Sequence, residues 1–182
     1  MSRLTVTLYA LAVFIPWACL SSPTYYVADT PIATRGDYID VTISATTDVA
    51  TSAYSISLRF DPIAMEIVGV DFGQTYGERS EYQPVYSWDN MTGVLKIGVI
   101  VTDDCSDEEH PGLEPGSGQL VHLRFHIKDD APVGTTYLEF EDIDLAKNGI
   151  AICGGGFARA KTMDGHIIVR RFKAKARKAP SP

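Results

Sequence analysis

The sequence predicts an all-β fold, a sandwich of two sheets packed face to face. Three observations carry this expectation. Apolar residues recur at every second position along much of the chain, and the runs are short and divided by Gly, Pro, Asn and Asp turn signals. After residue 23 no stretch keeps the 3.6-residue period of an amphipathic helix, so helix content is expected to be minimal. With 182 residues, 45% of them hydrophobic, the chain fills one core and is thin for two, so one domain is expected over residues 23–170.

Residues 1–22 precede that domain. They hold one charge, Arg3, then an apolar run from Leu8 to Leu20 broken only at Pro16, then Ser21-Ser22-Pro23. That is the layout of a secretory signal with a cut near Ala18, and the run is short of the roughly 20 residues a membrane span needs. The chain is therefore expected to be secreted or held at the cell surface. Cys19 permits a lipoprotein variant, for which Pro16-Trp17-Ala18 is a poor match.

The first strand of the body is expected over Tyr25 to Ala28, followed by a turn region from Thr30-Pro31 to Gly36-Asp37. Ile39, Val41 and Ile43 then share one face of a second strand. The clearest unit follows. Tyr54, Ile56, Leu58 and Phe60 alternate with Ala53, Ser55, Ser57 and Arg59, the signature of a strand with one buried face. Asp61-Pro62 stops it, because proline offers no N–H to a ladder, and a second apolar run (Met65, Ile67, Val68, Val70, Phe72) starts after the corner.

The segment from Gln74 to Trp88 has no clear period and reads as a long loop or a weak strand pair. Asp89 to Gly93 is a turn into Val94 to Val101, where Leu95, Ile97, Val99 and Val101 point one way and Lys96, Gly98 and Ile100 the other. An acidic Pro/Gly-rich loop covers Thr102 to Gly118. Leu120 to Lys128 puts Val121, Leu123, Phe125 and Ile127 inward and His122, Arg124 and His126 outward. Strands are further expected at Tyr137 to Phe140 and His166 to Val169, with a loop from Asp142 to Gly156 between them.

Charge and chemistry narrow the function. All 23 Asp and Glu lie between Thr24 and Val169 against nine Lys and Arg, and an acidic body repels phosphate, which argues against a nucleic-acid partner. Residues 171–182, part of RRFKAKARKAPSP, read as a basic, solvated and disordered tail. His122 and His126 are four apart, but on a strand that is ~13 Å, too far to share an ion. Asp103, Asp104, Asp107, Glu108 and Glu109 lack the ligand order of an EF-hand and read as a solvated loop; Asp142, Asp144 and Asn148 share the ambiguity. No nucleophile elbow, phosphate loop or zinc-protease motif occurs, so neither a metal nor a cofactor is expected and an enzyme is the weaker class. Cys105 and Cys153 either form one disulfide of an exported chain or stay free. Arg35-Gly36-Asp37 matches an integrin tripeptide and Asn90-Met91-Thr92 a glycosylation sequon, both short enough to arise by chance.

Four stretches taken in order point to a family: SLRFDPIAMEIVGVDFG, YSWDNMTGVLKIGVIVTDD, SGQLVHLRFHIKDDAPVGTTYLEFEDI and MDGHIIV. Their most specific parts are the Phe60-Asp61-Pro62 corner with Met65 and Ile67 behind it, the Gly118 to Ile127 strand closed by Asp130 to Gly134, and Asp164-Gly165 before the last strand. From Thr24 to about Arg170 the chain resembles a cohesin domain, the receptor module of cellulosomal scaffolds. The resemblance implies a jelly-roll sandwich of about nine strands, related to carbohydrate-binding modules, which is non-catalytic and binds a dockerin on one sheet face. It places that face on the strands matching Ala53 to Arg59, Val94 to Val101 and Leu120 to Lys128. The outward residues there are Ser55, Ser57, Arg59, Lys96, Gly98, His122 and Arg124, with Tyr86 beside them. Well-known type I members carry an Asn and an Asp on the first of these strands, where this chain has Ala53 and Ser55. Loss of those charge-assisted hydrogen bonds means that the usual partner does not transfer with the fold.

The expected function is thus a secreted binding module that recruits a dockerin-bearing protein, in polysaccharide degradation or cell-surface assembly. A carbohydrate-binding module on the same sandwich is the alternative, with Tyr76, Tyr82, Tyr86 and Trp88 as the aromatic residues that could meet a sugar.

Overall fold

The computed structural model describes residues 22–27, 31–72, 84–106, 112–144 and 146–171. The expected export segment up to residue 21, Tyr76 and Tyr82, residues Asp107 to His110 of the acidic loop, and the basic tail from residue 172 lie outside the described residues.

Thirteen strands run through the described residues, with no helix among them. They are β1 (Thr24–Val27), β2 (Ile32–Thr34), β3 (Tyr38–Thr47), β4 (Thr51–Phe60), β5 (Met65–Asp71), β6 (Val85–Asp89), β7 (Val94–Ile100), β8 (Gly116–Ile127), β9 (Gly134–Phe140), β10 (Gly149–Ile152), β11 (Phe157–Arg159), β12 (Lys161–Met163) and β13 (Gly165–Arg170). One sheet has the order β12-β1-β3-β8-β5. The other follows β11-β10-β4-β9-β13-β2, with β7 added to β4 and β6 to β7. β4 is the spine of this second sheet: β7 pairs along one side from Ala53 to Arg59, while β10 and then β9 share the other.

The alternation read from the sequence explains why the two layers close. Tyr54, Ile56, Leu58 and Phe60 of β4 and Leu95, Ile97 and Val99 of β7 are buried against Val41, Ile43, Leu123, Phe125 and Ile127 of the facing sheet. Phe60 meets Phe125 edge-on, with ring centroids 5.5 Å apart. Two buried phenols pin the layers together. Tyr25 of β1 donates its hydroxyl to the carbonyl of Gly149 in β10 at 2.5 Å, and Tyr54 of β4 donates to the carbonyl of Leu120 in β8 at 3.1 Å. Burial pushes both phenols well above the ordinary tyrosine range.

The Asp61-Pro62 corner is built from short-range bonds. The amides of Ala64 and Met65 reach the Asp61 carbonyl, and Ile63 N–H reaches its carboxylate at 2.9 Å. Gly93 backs the corner with φ of 69°, and a Cβ there would stand 2.0 Å from the Phe60 carbonyl oxygen.

Where the strand count exceeds the expected nine, the extra elements are short pieces at or next to sheet edges whose backbone bonds, not side-chain periods, define them. β10 and β11 fall in or next to what reads as a loop from Asp142 to Gly156, and β2 in what reads as a turn region. Val68, expected in the apolar run, is exposed because the β5–β8 register shifts between Ile67 and Gly69 and turns it out.

Candidate functional site

The outer face of the second sheet follows from register. Cross-strand partners project to the same side, so Ala53 stands beside Ile100, Ser55 beside Gly98, Ser57 beside Lys96 and Arg59 beside Val94. β6 adds Val85 next to Gly98 and Ser87 next to Lys96; β10 adds Ala151 next to Ala53, and β11 adds Phe157 next to Ala151. The upper half of this face is a shallow apolar trough. Ala53, Ser55, Gly98 and Ala151 form its floor, and Val85, Ile100 and Phe157 stand up as walls that are 76%, 50% and 54% exposed. Gly98 keeps the floor open, since the nearest atom to a Cβ built there is the Val85 carbonyl oxygen at 4.0 Å. Gly149 seats the Phe157 ring, because a Cβ there would lie 2.4 Å from the ring tip.

The lower half is strapped. Between β9 and β10, residues 141–144 and 146–148 lie across the outside of β4. Lys96 Nζ meets Asp144 at 2.5 Å, Arg59 Nε meets Glu141 at 2.5 Å, and the Ser55 hydroxyl donates to the Lys147 carbonyl. The Lys96 ammonium, by hydrogen bond and by charge, holds the Asp144 carboxyl below the usual carboxylate range. Asp144 takes φ of 53°, the one positive φ on a non-glycine residue among the described residues. Asp142 fastens the strap from within, accepting the Asn148 amide at 3.0 Å and pairing with Arg159 at 2.8 Å and Lys147 at 3.7 Å. The Asn148 carboxamide then substitutes for a neighbouring strand. Its oxygen accepts the Ser57 N–H at 2.8 Å and its nitrogen donates to the Ser57 carbonyl at 3.1 Å, where β10 has stopped pairing with β4 and β9 has not begun.

Of the residues expected on one docking face, Ser55, Arg59, Lys96 and Gly98 lie on one face of the second sheet. Three corrections follow from the structure. His122 and Arg124 lie on β8, which pairs with β3 and β5 in the other sheet, so they face the opposite side of the sandwich. Side-chain alternation shows which side of a strand faces out, not which sheet the strand joins. Ser57 is outward by alternation but 0% exposed, because the strap covers it, and its hydroxyl has no partner. Tyr86 pairs with inward-facing Ile97 and turns to the inner side, where it stacks on Trp88 with centroids 6.0 Å apart and lies 5.7 Å from Phe72. The expected list lacks Val85, Ile100, Ala151 and Phe157. The available signal was Ile100, an apolar residue on the solvent side of an alternating strand, next to a glycine.

The other motifs are spent on structure. The Asn90 carboxamide accepts from Ile67 N–H at 2.8 Å and donates to the Ile67 carbonyl at 2.9 Å, so the sequon asparagine works as a strand bridge. Arg35 binds the Ala131 carbonyl at 2.6 Å, and Asp37 caps Thr34 N–H at 2.7 Å, which ties the Arg-Gly-Asp turn to the body. His122 meets Thr42 at 3.0 Å, and His126 meets Glu66 at 2.9 Å and stacks on Tyr38. Asp104 turns its carboxylate onto the hydroxyl and amide of Ser106, which lower its pKa. Among the described residues no three His, Cys, Asp or Glu side chains are grouped to hold a metal ion. Cys105 and Cys153 are joined, with Cα atoms 5.7 Å apart, linking the loop after β7 to the turn after β10.

A two-layered sandwich that offers a flat, part-apolar sheet face belongs to the class of binding modules. The cohesin domain model matches residues 27–150, more than half of the chain, and the chain belongs to the cohesin family, a non-catalytic binding module. Solved structures agree on the fold. A chain of the type I Coh-OlpA-Doc918 cohesin–dockerin complex from Clostridium thermocellum superposes with a TM-score of 0.67 at 13% identity, over 82% of this chain and 100% of that one. A type II cohesin domain from the cellulosome of Acetivibrio cellulolyticus gives 0.62 at 15%, covering 81% and 95%. A non-cellulosomal cohesin from the archaeon Archaeoglobus fulgidus gives 0.58 at 17%, covering 82% and 92%. No curated protein sequence matches.

Proposed function

We propose that this cohesin domain is an exported docking module that receives a dockerin-bearing protein on the outer face of β6, β7, β4, β10 and β11, in polysaccharide degradation or cell-surface assembly. The observation that carries the reading is the trough: three large apolar side chains stand exposed around a floor of small residues on an otherwise strongly acidic body. Exposed apolar surface of this kind is a cost to a monomer and a gain to a complex. Support also comes from relatives of the same fold solved together with dockerins.

The test is calorimetry of the full chain against purified dockerins, including those of the solved complexes. At least one is expected to bind. Gly98→Leu adds bulk to the floor from a Cβ that has no atom nearer than the Val85 carbonyl oxygen at 4.0 Å, so it should weaken that binding at least about tenfold, or 1.4 kcal/mol, while circular dichroism stays unchanged. Arg59 and Lys96 rim the contact and Ser55 only trims its floor, so alanine at any of the three should weaken it less; His122→Ala and Arg124→Ala should leave it unchanged. Failure to bind any dockerin, or equal binding by the Gly98 variant, refutes the assignment. Export by residues 1–22 is tested by sequencing the N-terminus of the protein recovered from the medium.

A second reading rests on the Tyr86–Trp88 pair, whose rings are within 5° of parallel and partly exposed, as a sugar platform would need. Retardation in polysaccharide gels that is lost in Trp88→Ala would favour it.

A further inference from the structure

We infer that Phe157, held in place by the Cys105–Cys153 disulfide, sets the width of the trough and selects a partner that inserts an aliphatic side chain rather than a hydroxyl or a charge. The inference rests on the docking proposal above and deepens it.

The selectivity follows from what lines the trough. The floor has one polar side chain, Ser55, and its hydroxyl proton goes to the Lys147 carbonyl. The cations on this face, Lys96, Arg59 and Arg159, are already paired with Asp144, Glu141 and Asp142. A partner hydroxyl or charge entering here gives up water for, at most, the lone pairs of Ser55 Oγ, whereas an aliphatic chain meets Val85, Ile100 and Phe157 at no such cost.

The far wall depends on a covalent tie. β11 is three residues long and pairs with β10, which spans only four. The turn between them holds Gly154, Gly155 and Gly156 at φ of 87°, 105° and 106°, and no atom lies within 4 Å of a Cβ built on any of them. A turn without side chains has nothing to pack with, so Cys153 supplies the anchor. Its partner Cys105 lies five residues after Ile100, and the bridge therefore joins the loop leaving the strand that carries one wall to the hairpin that carries the other. Gly112 backs it closely, since a Cβ there would stand 2.6 Å from Cys153 Sγ.

The test uses the full chain, labelled with 15N and titrated with 2-methyl-1-propanol, and with ethylene glycol as the polar control. The aliphatic alcohol should shift the amides of Ala53, Gly98, Ala151 and Phe157, and the glycol should not. Phe157→Ala should weaken that response at least about tenfold. The Cys105→Ser/Cys153→Ser protein should show amide exchange at Ala151 and Ala158 raised by a similar factor, with Leu58 and Phe125, which follow global stability, still the better protected amides. An alcohol response that survives Phe157→Ala, or hairpin exchange unchanged in the serine protein, overturns the inference. Any dockerin bound by the parent should be lost by both variants; equal binding would sink this proposal and leave docking intact. An alcohol response in the trough with no dockerin bound would sink the dockerin reading and leave the aliphatic preference standing.

Discussion

Replacement of Asn148 by leucine should remove the piece that substitutes for a strand at the centre of the docking sheet. Asn148 is 5% exposed, and leucine has the same number of side-chain heavy atoms and the same branching at Cγ, so the outline is kept in a larger volume while both hydrogen bonds go. The Ser57 N–H is then buried with no acceptor, at about 1–3 kcal/mol. The Ser57 carbonyl still accepts from Glu141 N–H at 3.2 Å, so its loss is that of one ordinary bond, about 0.5–1.5 kcal/mol. Together these predict a loss of about 2–4 kcal/mol, and at ~2–4 °C per kcal/mol for a chain of this size a 3 kcal/mol loss lowers Tm by about 6–12 °C. Urea and thermal unfolding followed by circular dichroism read both quantities. Asn148→Asp separates hydrogen bonding from packing. Its carboxylate cannot donate to the Ser57 carbonyl, whereas the protonated acid can, so its folded pKa should be raised and its stability should be greatest at low pH and fall as pH rises. A loss below ~0.5 kcal/mol in Asn148→Leu, or an Asn148→Asp protein indifferent to pH, would show that the carboxamide does not bridge the gap.

Other outcomes follow from the same geometry. Gly93→Ala forces a Cβ to within 2.0 Å of the Phe60 carbonyl at a left-handed φ, and should cost at least about 2–4 kcal/mol by urea unfolding, or leave no folded protein. The disulfide closes a span of 48 residues, for which chain entropy predicts that Cys105→Ser/Cys153→Ser loses up to about 4 kcal/mol; equal urea midpoints for parent and variant would contradict this. Tyr25 and Tyr54 have folded pKa values raised above the unfolded one, so their contribution is complete below about pH 10 and is lost as pH rises beyond it, when the unfolded chain ionises first. Absorbance at 295 nm should therefore show these two phenols titrating only together with alkaline unfolding.

The division between what could be read early and what could not is physical. Alternation in Tyr54 to Phe60, Leu95 to Val101 and Val121 to Ile127 is a local property of consecutive residues, and it correctly separated core-facing from outward-facing positions in each run, although outward Ser57 is covered. The Asp61-Pro62 corner was legible because proline's missing donor acts on its own neighbours. Ser55 and Gly98 could be placed outward on the same grounds. His122 and Arg124 could not be assigned to a face, because the ladder that β8 joins depends on Tyr38 to Thr47, some 80 residues earlier in the chain. Ser57 reads as exposed until Asn148, 91 residues later, lies over it. The trough takes its floor from β4, β7 and β10 and its far wall from a three-residue strand with no period to detect, brought alongside by Cys153. One strand's own residues determine which of its sides sheds water; only the closing of distant chain into a sheet decides which of those sides lie together, and that adjacency makes the docking surface.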